Sequence, residues 1–121
     1  MYYSHSNKSI FAKTVVPGAL VVLLAASANV FAADVDVAAA EALAKKSNCT
    51  KCHAVDKKKD GPSYKETAGK YKGKSDAVTK LTTHITTGPK VKIDGVEEEH
   101  QIVKTKDSAE INNRVQYILS R

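Results

Sequence analysis

The sequence predicts an all-α fold of about four helices. Segments over 37–48, 63–71, 75–87 and 107–121 each carry apolar residues at helical spacing or a capping signature. No convincing buried strand precedes Ala38 or follows Lys58.

Asp34 and Asp36 can cap the first helix, Val37 to Asn48, whose Val37, Ala40, Leu43 and Ala44 share one face. Its alanines permit close approach by another helix. Lys57 to Pro62 is a turn, after which Ser63-Tyr64-Lys65-Glu66 is a capping box opening a helix to about Tyr71, with Tyr64, Ala68 and Tyr71 inward. Gly73 ends that segment, and Ser75 or Asp76 opens a third helix to about Thr87. Its stripe is Val78, Leu81 and Ile85, and Gly88-Pro89 stops it. Residues 88–106 lack helical periodicity, read as a functional loop, and contain Asp94-Gly95, which can turn a short hairpin after Val91-Lys92-Ile93. Asp107-Ser108-Ala109-Glu110 is a capping-box-like start for the last helix, which aligns Ile111, Val115, Ile118 and Leu119.

With 121 residues, 42% of them hydrophobic and 26% charged, the chain has room for one ordinary globular domain. Its first residues read differently. Lys8 and Lys13 precede a charge-free run from Thr14 to Ala33, and Val30-Phe31-Ala32 suits a signal peptidase. Residues 1–32 are therefore expected to be a secretory signal peptide and 33–121 the single domain. The alternative is an uncleaved N-terminal membrane anchor, although Pro17, Gly18, Ser27 and Asn29 dilute the apolar run. Cleavage removes two lysines and no acid, taking the net charge from +6 to +4. Export disfavours nucleic-acid binding.

The charge is polarised. Lysines crowd the stretch from Lys45 to Lys74, while Asp94, Glu97, Glu98 and Glu99 cluster later. A basic face steers acidic partners, whereas the plainer reading has these lysines solvating helix faces. A domain this small, with few large apolar side chains, has little core and often needs a metal, disulfide or cofactor.

The two cysteines stand in Cys49-Thr50-Lys51-Cys52-His53, the pattern of c-type haem attachment. Two intervening residues set both thiols on one turn, where they can form thioethers with the two vinyl groups of one haem. The adjacent imidazole then binds the iron. A disulfide would close a very short loop and contribute little. A thioredoxin-like pair lacks its strand-helix-strand setting, and zinc lacks a second cysteine pair.

The region from 33 onward resembles the small bacterial class I cytochromes c. The likeness rests on a helix leading into the haem motif, then Gly61-Pro62-Ser63-Tyr64, a middle helix ending near Gly88, and a terminal helix from Glu110 to Arg121. It implies the class I cytochrome c fold, about four helices wrapped around one covalent haem c, with the alanine face of 37–44 meeting Val115 and Leu119. It also implies that the Pro62 carbonyl accepts a hydrogen bond from His53, with Gly61 allowing the approach, and that Tyr64 borders the cofactor.

Members of that family normally supply a methionine sulfur to the second axial position from the loop before the last helix. Here the only methionine is Met1, within the signal. His100, in that loop and 17 residues before Tyr117, is the expected sixth ligand. His84 competes, but stands about where relatives place a group that hydrogen-bonds a haem propionate; a lysine from 90–106 ranks third. A second imidazole lowers the reduction potential relative to His/Met relatives, and Glu97 to Glu99 act in the same direction. The expected function is a periplasmic one-electron carrier rather than an enzyme, serving redox partner proteins with acidic docking surfaces, with no stable membrane insertion after signal cleavage. The alternatives are an open-site haem protein binding oxygen, nitric oxide or peroxide, and a cytochrome subunit of a larger oxidoreductase.

Overall fold

The computed structural model describes residues 34–121. The expected signal over 1–32, its cleavage point and the alternative anchor lie outside those residues. No helix among the described residues is long and apolar enough to cross a membrane.

Helix α1 spans Val37–Lys46 and is capped by Asp36, whose carboxylate accepts the Ala39 N–H at 2.9 Å. It stops earlier than the expected Asn48. The Ser47 hydroxyl is buried and accepts the Lys104 N–H at 2.9 Å, and Asn48 takes a left-handed φ of 60°, which asparagine tolerates better than most residues. That reversal frees the next residues to form a separate turn, α2 (Cys49–Cys52), so five helices form among the described residues rather than about four.

Helix α3 (Tyr64–Tyr71) has the expected capping box: the Ser63 hydroxyl accepts the Glu66 N–H at 3.1 Å and the Glu66 carboxylate accepts the Ser63 N–H at 2.7 Å. Helix α4 (Ala77–Thr87) buries Ala77, Leu81 and Ile85, at i, i+4 and i+8. Val78, expected inside, is exposed, because it sits about 100° around the helix from Ala77. The hairpin forms as β1 (Lys90–Ile93) and β2 (Val96–Glu99), antiparallel, turning at Asp94 and Gly95 with φ of 48° and 84°. Lys90 opposes Glu99 and Lys92 opposes Glu97, so opposite charges face each other across the strands. Glu97, Glu98 and Glu99 are all exposed, where solvent screens their pull on the potential.

Helix α5 (Ser108–Leu119) starts at Asp107, which accepts the Ala109 and Glu110 N–H groups. Its cap is a relay rather than a box: the Asp107 N–H donates to the Thr105 hydroxyl oxygen, and that hydroxyl donates to Glu110. Ala40 and Val115, both essentially inaccessible, mark the α1–α5 packing, as the small-residue face requires. A reciprocal pair pins the same junction, the Asp36 N–H donating to Asn113 Oδ1 and Asn113 Nδ2 to the Asp36 carbonyl, both at 2.9 Å. Leu43, Leu81, Ile85 and Ile118 join Val115 in the core, each stabilising it by roughly 1.5–3 kcal/mol.

Candidate functional site

Helix α2 carries both cysteines on its single turn, and His53 follows in extended conformation with its N–H bonded to the Cys49 carbonyl at 3.0 Å. Both thiols are free and half-buried. Burial pushes the Cys49 thiol above its ordinary range, and the nearby Arg114 charge opposes this.

His53 is held on three sides. Its Nδ1 lies 2.7 Å from the Pro62 carbonyl oxygen; a carbonyl only accepts, so Nδ1 carries the proton and Nε2 keeps its lone pair. A Cβ on Gly61 would come within 2.4 Å of His53 Cε1, so the absence of a side chain lets the ring sit against the turn. Tyr64 stacks on the ring, with centroids 5.8 Å apart and planes 21° apart. Pro62, Gly61 and Tyr64 thus all meet the His53 ring.

His100 arrives from the base of the hairpin. Its N–H donates to the Pro89 carbonyl at 3.0 Å, and Gly88 adopts φ 61° with the His100 carbonyl oxygen 2.7 Å from where a Cβ would stand. The His100 and His53 centroids are 5.9 Å apart, tilted by 49°. Two imidazoles on opposite sides of one metal, at bond lengths of about 2 Å, have centroids about 6 Å apart, so rings at this spacing could hold a metal between them. The His100 Nδ1 is buried and without a hydrogen-bond partner among the described residues. Burial, helped by His84 and then His53, lowers the His100 pKa to about 4, so the ring is neutral at physiological pH. His84 packs edge-on against His100 with centroids 4.3 Å apart, and burial lowers its pKa too.

Arg114 is the residue that the sequence reading missed. Only 2% exposed, it stands over Tyr64 at 4.6 Å and Tyr117 at 5.1 Å and donates a hydrogen bond to the Tyr64 hydroxyl. The helical stripe Ile111, Arg114, Val115, Ile118 contained the signal, but positive charge masked it.

A haem-attachment turn followed at once by a fixed imidazole, among a few short helices, is the arrangement of a class I cytochrome. The Cytochrome c family profile matches residues 37–121, and the chain belongs to that family, whose members carry one covalent c-type haem. Its two cysteines, Cys49 and Cys52, are those available for attachment. Among solved structures, the class 1 cytochrome MtoD from Sideroxydans lithotrophicus ES-1 is 56% identical, with a TM-score of 0.68 over 71% of this chain and 96% of that one. Wild-type cytochrome c552 from Nitrosomonas europaea is 32% identical, with a TM-score of 0.53 over 66% of this chain and 96% of that one. Cytochrome c-551 of Pseudomonas denitrificans is 44% identical over 50 residues, 41% of this chain and 61% of its own length. The aligned stretch thus spans less than two thirds of that curated relative.

Proposed function

We propose that the chain is a periplasmic one-electron carrier whose haem is held by thioethers from Cys49 and Cys52 and whose iron is bound by His53 and His100. Residues 1–32 act as a signal peptide, leaving 33–121 as the single domain. The haem, when bound, supplies an iron that takes up and releases one electron; the protein supplies geometry and electrostatics. Pro62 fixes the proton on His53 Nδ1, Tyr64 stacks behind that ring, and His84 braces His100 and stands as the candidate partner of a propionate. With His53 and His100 both holding the iron, no site would remain on it for a substrate, and two neutral nitrogen donors would lower the potential relative to His/Met ligation.

The observation that carries this reading is the 5.9 Å separation of the His53 and His100 rings, with the His100 Nδ1 buried and unpartnered. The charge-free run from Thr14 to Ala33 and the single methionine, Met1, support it. Exposed Lys51, Lys57, Lys58 and Lys59 around the haem motif favour partners with acidic docking surfaces.

Optical and electron paramagnetic resonance spectra of the ferric protein beside His100→Ala test the assignment. A low-spin bis-imidazole signal that turns high-spin in the variant is expected. A wild type already high-spin, and unchanged by the substitution, would overturn it in favour of an open ligand-binding iron.

A further inference from the structure

Arg114 is the largest side chain that the fold buries completely. One terminal nitrogen bonds the Tyr64 hydroxyl, while the other, Nη1, is buried with no hydrogen-bond partner among the described residues. The ion pairs among those residues join Lys65 to Asp56 and Lys80 to Asp76, and neither involves Arg114. The guanidinium is therefore a buried cation without a counter-ion in this part of the chain, shielded by the faces of Tyr64 and Tyr117. For stability alone, an apolar side chain at this place in the α5 stripe would serve at lower desolvation cost.

Its position ties it to the haem site. Tyr64, which it bonds, stacks on His53, and its charge acts on the Cys49 thiol. Resting on the haem-carrier reading above, we propose that Arg114 is a fixed internal cation that raises the reduction potential, offsetting part of the lowering brought by a second histidine. The step it biases is the gain of one electron from a redox partner, with no proton transferred. A guanidinium stays protonated throughout the working pH range, so the bias does not vary with pH. Arg114 acts through the field at the site, as a potential-setting rather than a catalytic residue.

The holoproteins Arg114→Met and Arg114→Lys, compared with wild type by spectroelectrochemistry, test this. Arg114→Met should lower the equilibrium constant for reduction about tenfold, or about 59 mV for one electron, at every pH from roughly 6 to 9. Arg114→Lys should keep most of the wild-type value. A change of less than about twofold in Arg114→Met would overturn the proposal. So would an equal fall in both variants, which marks a packing effect, or loss of folding in Arg114→Met, which marks a structural role. The ferric spectra recorded alongside report axial ligation independently, so a high-spin wild type would defeat the bis-histidine reading without deciding the Arg114 shift.

Discussion

The segments Cys49–Ser63 and Gly88–Val103 each bring one histidine to the site, and they control it by different means. His53 is specified through its side chain: the Pro62 carbonyl holds one nitrogen, the bare face of Gly61 receives the ring, and Tyr64 stacks against it. His100 is specified through its backbone, by the Pro89 carbonyl and the left-handed Gly88, while its Nδ1 has no partner and its ring leans on another imidazole. The first arm fixes tautomer and orientation; the second fixes position and leaves orientation to the metal. Under the proposed ligation, the bond to His100 should therefore be the weaker and more exchangeable of the two.

The sharpest way to break this contrast is Gly61→Ala. The new methyl would meet His53 Cε1 at 2.4 Å, and the ring cannot retreat without losing Pro62. We expect a cost of about 3 kcal/mol and a large loss of haem-loaded protein, read by thermal melting and by the ratio of haem absorbance to protein. A smaller effect is expected from Gly88→Ala, which adds a Cβ 2.7 Å from the His100 carbonyl oxygen at a φ of 61°. Strain of about 1–2 kcal/mol should fall on the second arm alone. Part of the ferric population should become high-spin while covalent attachment persists; complete retention of the low-spin signal would show that the backbone does not place His100.

Acid should act last and least. Burial sets the folded His100 pKa at about 4 against an ordinary 6.5, and iron on the ring would hold off the proton further, so between those values the unfolded chain binds a proton that the folded site refuses. Stability from this group is complete above the upper value and falls as the pH drops towards the lower one. His84, shifted in the same direction, adds to the trend. The melting temperature should decline over this window, and by less in His100→Ala than in wild type.

Much of this was legible in the chain because local chemistry specifies it. The Ser63 cap, the Asp94-Gly95 turn and the α1–α5 contact through Ala40 and Val115 follow from short-range patterns that the tertiary structure does not oppose. The early end of α1 was not legible, since it depends on the Ser47 hydroxyl meeting the Lys104 N–H from far along the chain. Nor was the burial of Arg114, whose apolar surroundings are assembled from α3 and α5 together. In the site, Cys49, Cys52 and His53 are contiguous and could be read directly. The approach of His100 to His53 and to His84 depends on how the hairpin closes, which periodicity does not encode.

The clasp between Asp36 and Asn113 also bears on timing. The residues it joins are 77 positions apart, so α1 gains its packing partner only once the chain has folded back through every intervening element. Before α5 docks, the turn from Cys49 to His53 follows a helix whose small-residue face is uncovered. Both sulfurs are thus at their most accessible before the clasp closes.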